Sequence, residues 1–155
     1  MTILAEMLAA GAITAPLTIA NRKALFAHFG VVAEREYGLA SHDVIDCLTE
    51  RERLGSTGFG NGVAIPHGKV TGLGHVVAMF ASIATPIDFQ AIDDLPVDLA
   101  FCLLSPPDAG ADHLKALALI SRWLRDPAFV AKLRGASSAD AVYAIFDSAT
   151  SPQIA

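Results

Sequence analysis

His67 stands between Pro66 and Gly68, at the end of a stretch from Gly55 to Lys69. That stretch holds Gly55, Gly58, Gly60, Gly62 and Gly68, five of the chain's 12 glycines. Glycine loses more conformational freedom on ordering than any other residue, so a segment this rich in it needs a local reason. A positive φ or a close backbone approach are the usual ones. Pro66 fixes its own φ and biases Ile65 toward an extended conformation. The combination aims an imidazole from a shaped loop. Imidazole titrates near neutrality and can act as an unprotonated nucleophile at pH 7. One ring nitrogen then attacks, while the other donates to an acceptor that sets the tautomer.

Two distant residues could serve a reaction at that imidazole. Arg51 falls in the last turn of an expected helix, and its planar fork suits phosphate oxygens. Taken by itself it reads more simply as a solvated helix-end residue paired with Glu50 or Glu52. His113 falls at the start of another expected helix, where free N–H groups and the positive end of the dipole favour an anion. It reads equally as an exposed first-turn histidine. Ser56 and Thr57 place hydroxyls in the same glycine loop and are alternative acceptors.

Other chemistries fit poorly. No Gly-Lys-Ser/Thr follows the glycines at P-loop spacing, and Gly58-Phe59-Gly60-Asn61-Gly62 has the wrong final spacing for a dinucleotide fingerprint. Gly55-Ser56-Thr57-Gly58 is not a nucleophile elbow. His67, His75 and His113 are separated by turns and a strand, and neither HExxH nor CxxC occurs, so no metal site is expected.

The surrounding elements follow from periodicity and punctuation. Ile3, Leu4, Met7 and Leu8 fit a turn or two of helix, broken by Gly11 and Pro16, with Thr14 to Ile19 a short strand or extended arm. Asn21 caps a helix from Arg22 to about Tyr37, stopped by Gly38, with Gly30 weakening its middle. Ser41 is expected to cap a second helix, about His42 to Leu54, whose inner face carries Val44, Ile45, Leu48 and Cys47. Val63 to Ile65, Val76 to Ala84 and Val97 to Leu104 read as strands, the second ended by Pro86 and followed by a brief extended piece at Ile87 to Phe89. The two longer ones are almost continuously apolar, which calls for helices on both faces of a sheet. After the Ser105–Gly110 loop comes a helix from about Asp112 to Leu124, with Leu114, Leu117, Ala118, Ile120, Ser121 and Leu124 inward. Asp126 caps a short helix with Pro127 at its first position and Gly135 past its end. Ser137 caps a last one, with Asp140 as a short capping-box partner and Val142, Ile145 and Phe146 inward. The pattern predicts a three-layer α/β/α sandwich around a mixed sheet. Ligands in such sheets sit at the carboxyl ends of strands, where the Ser105–Gly110 loop and the helix after it lie.

Composition narrows the class. The 155 residues are expected to form one domain, with a core over about 2–147 and a frayed tail at 148–155. An apolar share of 53% argues against disorder, and a net charge of −5 gives no footprint for nucleic acid. Cys47 and Cys102 lie far apart in apolar contexts and read as reduced thiols of a cytoplasmic protein. Glu6 interrupts the apolar N-terminal run, so no signal peptide is read there. The longest uncharged run, Val70 to Ile87, carries Gly72, Gly74, His75 and Pro86 and is no membrane span.

Two stretches carry a family resemblance: Glu50-Arg51-Glu52-Arg53-Leu54-Gly55-Ser56-Thr57-Gly58, and Gly60-Asn61-Gly62-Val63-Ala64-Ile65-Pro66-His67-Gly68-Lys69. Pro86-Ile87-Asp88-Phe89, Ala91-Ile92-Asp93, Pro96-Val97-Asp98-Leu99 and His113-Leu114 follow in matching order. Over about residues 2–147 the chain resembles the IIA domains of the bacterial phosphotransferase system, in the fructose–mannitol class and its nitrogen-regulatory branch. The resemblance implies that His67 accepts a phosphoryl group, through Nε2, from the phosphohistidine of an HPr- or NPr-like carrier. It implies that Arg51 and His113 line the phosphoryl pocket, with Ser56, Thr57, Gly58, Pro66 and Gly68 forming its loop wall. No cofactor is implied. A protein of this branch is expected to control targets such as a sensor kinase, potassium transport or a stress-signalling enzyme through its phosphorylation state. The alternative is a sugar-specific IIA component that passes phosphate to a IIB domain. The Gly-Ser-Thr-Gly variant, and a chain with no linker to a IIB or membrane domain, favour the regulatory reading.

Overall fold

The computed structural model describes residues 6–150. Six strands form one mixed sheet: β1 (Leu8–Leu17), β2 (Gly58–Gly60), β3 (Val63–Ala64), β4 (His67–Lys69), β5 (Val77–Ile87) and β6 (Val97–Ser105). The strand order is β1-β5-β6-β3-β2, with β4 also pairing to β6. β5 and β6 are antiparallel, whereas β1 runs parallel to β5, and β3 and β4 run parallel to β6. The helices are α1 (Arg22–Tyr37), α2 (Ser41–Arg53), α3 (Ala111–Arg125), α4 (Pro127–Gly135) and α5 (Ala139–Thr150).

Consecutive residues Val77 to Ala81 of β5 and Leu99 to Leu104 of β6 are all buried, so both faces of the sheet are covered. One face meets an aromatic cluster, in which Phe146 of α5 lies 5.3 Å from Phe80, 5.4 Å from Phe101 and 5.5 Å from Phe129 of α4, mostly edge to face. Such contacts add about 0.5–1.5 kcal/mol each beyond burial. The helices α1 and α2 complete the sandwich on the other side. The α/β/α architecture is the one expected from the strand pattern. Among the described residues, no helix is long and apolar enough to cross a membrane.

Several boundaries differ from the expectation, each for a physical reason. The N-terminal segment from Leu8 is strand, not helix, because Leu8 pairs with Ala78 and Ile13 with Phe80 of the buried β5. Gly11 and Pro16 lie inside β1, and an edge strand tolerates a proline because one side of it needs no ladder hydrogen bond. Ile3 and Leu4 lie outside the described residues. β5 continues past Ala84 through Pro86, with a register shift between Ser82 and Ile87 that absorbs the missing donor. His67 to Lys69, the end of the stretch read as a shaped loop, is a strand because it docks on the end of β6. The N-cap of α2 is Ala40, not Ser41, and the Glu34 carboxylate accepts from Ser41 N at 3.3 Å in its place. Gly135 is the last residue of α4, not the residue past its end. Ser138, not Ser137, caps α5, its hydroxyl accepting from Ala141 N. That helix runs through residues 148–150, and the rest of the expected tail lies outside the described residues.

The ends of α1 behave as read. Asn21 accepts from Ala24 N, and Gly38 at φ 69° donates to the carbonyls of Ala33 and Glu34. Gly30, however, is a contact point. A Cβ there would stand 2.6 Å from Ser41 Oγ and 3.0 Å from both Ser41 O and Ile45 Cγ1. It allows α1 and α2 to touch. Replacing a helix-interior glycine by alanine ordinarily gains about 1 kcal/mol of helix propensity. Overpacking costs about 1–3 kcal/mol. Gly30→Ala is therefore expected to lower the urea midpoint, and a raised midpoint would show that the two helices can separate freely.

Candidate functional site

His67 is the first residue of β4 and sits opposite Leu103, while Lys69 sits opposite Ser105, the last residue of β6. The imidazole is half-buried. Its Nδ1 lies 2.8 Å from the carbonyl oxygen of Ile65. A carbonyl only accepts, so Nδ1 carries the ring proton and Nε2 keeps its lone pair. That lone pair accepts from Arg51 Nε–H at 3.2 Å. Arg51 is itself anchored, with Nη1 donating to Gly55 O at 2.9 Å.

His113 arrives from the helix that follows β6. The strand ends at Ser105, the chain turns, and α3 begins two residues before His113. The Ser105 hydroxyl lies 2.5 Å from His113 Nδ1, and both residues are buried. The two imidazole centroids are 5.8 Å apart. Burial lowers the His67 pKa below the ordinary 6.5; the Ile65 carbonyl opposes this, Arg51 adds to it and Glu52 opposes it. Burial likewise lowers the His113 pKa, helped by the charges of His67 and Lys69. Two imidazoles beside a guanidinium form an arrangement that can hold an anion, and an unprotonated ring nitrogen there can act as a nucleophile.

The structure thus brings His67, Arg51 and His113 together. The remaining loop residues act as scaffold. Ser56 Oγ donates to Phe89 O at 2.6 Å and accepts from Gly58 N at 3.1 Å. The Thr57 hydroxyl is buried and donates to the Glu52 carboxylate. Both hydroxyls point into protein partners. Gly58 closes on Ala91, where a Cβ would stand 2.9 Å from the Ala91 Cβ. Pro66 is buried, and its carbonyl accepts from Leu103 N at 2.9 Å. At Gly68 a Cβ would lie 2.1 Å from Cys47 Sγ, so α2 can seat against the phosphate-loop candidate only because this residue is glycine.

Glu52 and Ser105 were not among the residues singled out from the sequence. Glu52 is buried, and its carboxylate accepts from Thr57 N at 3.1 and 3.2 Å and from Arg22 Nη1 at 3.1 Å. The signal was present: Val44, Leu48 and Glu52 are spaced by four, so a charge continues a buried stripe. Ser105 carried a weaker signal, as the single polar end of an apolar strand. Leu114, read as part of the inner stripe of α3, is 67% exposed, while His113 turns inward to Ser105. Among the described residues, no three His, Cys, Asp or Glu side chains gather as metal ligands.

Residues 6–149 match the family described as phosphoenolpyruvate-dependent sugar phosphotransferase system, EIIA 2. The chain belongs to this family. Among EIIA 2 relatives, it is 43% identical over 140 residues to a nitrogen regulatory protein of Bradyrhizobium diazoefficiens, covering 90% of this chain and 92% of that one. Its structure is similar to that of the nitrogen regulatory protein IIA-Ntr of Neisseria meningitidis, with a TM-score of 0.87 and 38% identity, covering 93% and 99% of the two chains. The mannitol IIA of Escherichia coli shares the EIIA 2 fold at a TM-score of 0.73 and 18% identity, covering 88% and 96%.

An NMR titration is expected to place the midpoints of His67 and His113 below 6.5. Arg51→Ala is expected to raise the His67 midpoint, and an unmoved midpoint would remove the guanidinium as its partner. Because both folded values are lowered, the unfolded chain takes up these protons first as the pH falls. Stability is then full above about pH 6.5 and declines as the pH drops through the lowered folded values. Glu52→Ala is expected to cost about 1–3 kcal/mol in urea unfolding, because Thr57 N and Arg22 lose their acceptor.

Proposed function

We propose that this protein is a phosphoryl carrier of the regulatory kind, in which His67 Nε2 accepts a phosphoryl group from the phosphohistidine of an HPr- or NPr-like carrier. The reading rests chiefly on one observation: the His67 proton is fixed on Nδ1 by Ile65 O, which leaves the Nε2 lone pair beside Arg51. Phosphoryl transfer asks little covalent chemistry of a protein beyond an in-line nucleophile and stabilisation of charge on the equatorial oxygens. His67 supplies the first. Arg51, His113 and the first-turn N–H groups of α3 supply the second. As the new P–N bond forms at Nε2, the P–N bond to the donor imidazole breaks with its electron pair left on the donor nitrogen, and the ring proton stays on Nδ1, hydrogen-bonded to Ile65 O. Arg51 then exchanges its bond to Nε2 for bonds to the phosphoryl oxygens.

The product carries roughly −1.5 to −2 charge near neutrality, by analogy with other phosphorylated side chains. A change of that size at a half-buried position is a readable difference for a partner protein. The relatives named nitrogen regulatory proteins, similar over most of this chain, support a regulatory use of that charge. Its targets would be proteins that distinguish the two forms, such as a sensor kinase, a potassium transporter or a stress-signalling enzyme.

Incubation with a phosphorylated HPr-type carrier is expected to label the wild type and not His67→Ala. Full labelling of that variant would sink the assignment. The label should be acid-labile and alkali-stable, as for a phosphoramidate; an acid-stable product would move the acceptor to Ser56 or Thr57. Arg51→Ala and His113→Ala should each slow transfer about 10²-fold or more while leaving the fold intact, the range for removal of one group that stabilises transition-state charge. Pull-downs with wild type, His67→Ala and His67→Glu should recover a partner that responds to the charge. A sugar permease as the sole phosphate acceptor would instead make this a IIA component of sugar uptake.

A further inference from the structure

A second concavity lies on the far side of α2 from His67. Cys47 and Arg51, one turn apart, face β4: Cys47 Sγ donates to Lys69 O and Arg51 donates to His67. Ile45, Thr49 and Arg53, with the same spacing, line a cleft between α2 and the first turn of α1. The cleft measures about 490 Å³, within the range of small-ligand sites, roughly 300–1,000 Å³.

Its lining has a definite chemistry. Arg22, Lys23 and Arg53 bring positive charge and Glu52 a single negative one, in a chain whose net charge is −5. Glu52 is already matched, 3.1 Å from Arg22 Nη1 and bound to Thr57. Among the described residues Arg53 pairs with Glu50, and both side chains are about two-thirds exposed. The first turn of α1 adds the positive end of its dipole. Phe26 and Ile45 give the cleft an apolar wall. The ligand that matches is an anion, a carboxylate or phosphate monoester, carried on an apolar body.

The cleft is also wired to the loop before His67. Arg22 Nη1 is shared between Glu52 and Phe89 O, at 3.1 and 3.2 Å. Ser56 Oγ donates to the same Phe89 carbonyl, and Glu52 holds Thr57. An anion that draws on Arg22 competes with the two acceptors that fix this turn. We infer that the cleft between α1 and α2 binds a small organic anion with an apolar body, and that filling it shifts the Ser56–Thr57 turn through Arg22 and Glu52. The inference stands whether or not His67 is phosphorylated, because both parts are read without phosphoryl transfer.

The test is a titration of ¹⁵N-labelled full chain with phenyl phosphate and with benzoate, using benzyl alcohol as the uncharged match. Either anion is expected to move the amide signals of Arg22, Lys23 and Thr49 together with those of Ser56 and Thr57, saturating at millimolar concentration. The more strongly bound of the two identifies the acid group. Lys23→Glu and Thr49→Trp alter exposed positions and are each expected to weaken binding about tenfold, the first by charge and the second by filling the cleft. Equal shifts with benzyl alcohol would overturn the inference. So would shifts confined to Arg51, His67 and His113, affinity unchanged in both variants, or cleft shifts without movement at Ser56 and Thr57.

Discussion

The buried carboxylate of Glu52 is the constraint on which the site depends. A charge out of water is costly unless it is paired and hydrogen-bonded. Here α1 supplies Arg22, and the glycine loop supplies the amide and hydroxyl of Thr57. Satisfying the carboxylate in this way draws three segments to one point. It also sets the rotation of the last turn of α2. With Glu52 turned inward, the preceding residue, Arg51, falls on the face toward β4, within 3.2 Å of His67. The surface geometry that could hold a phosphoryl group is thus set from beneath.

A second constraint comes from β6. Its Leu99 and Ala100 pair with β3 and its last residues with β4, both parallel, while Val97 and Leu99 to Leu104 pair with β5. The end of β6 therefore receives His67 from one neighbour and, through the following turn, His113 from α3. Ser105 joins the two by pairing its backbone with β4 and its hydroxyl with His113. Residues far apart in the chain meet because one strand end serves both. This is the carboxyl-end placement common to sheets with parallel strands.

Much of this was legible in the residues themselves. Continuous apolar runs gave the central strands, and Asn21, Gly38, Asp126 and Pro127 marked helix ends through local chemistry that tertiary structure did not override. His67 announced itself through its proline and glycine neighbours. The misreadings share a cause: partners remote in sequence. Leu8 belongs to a strand because of Ala78, His67 to Lys69 to another because of Leu103 to Ser105, and Ser41 needs no cap of its own because Glu34 reaches it. Glu52 looked like a surface charge beside Glu50 and Arg53, since only its spacing from Leu48 betrays that it points inward. Gly30 looked like a weak point in a helix, and its reason is a neighbouring helix.

The hydrogen bond from Arg51 to the lone pair of His67 has a further meaning. In the resting protein the Nε2 lone pair of His67 is capped by a cation. Uncovering Nε2 sacrifices that bond, and a reagent with anionic oxygens would offer the guanidinium a replacement. An uncharged acylating or alkylating agent offers none, and a proton arriving at Nε2 would meet like charge. If His67 is the acceptor proposed above, discrimination among electrophiles would be built into the unreacted state.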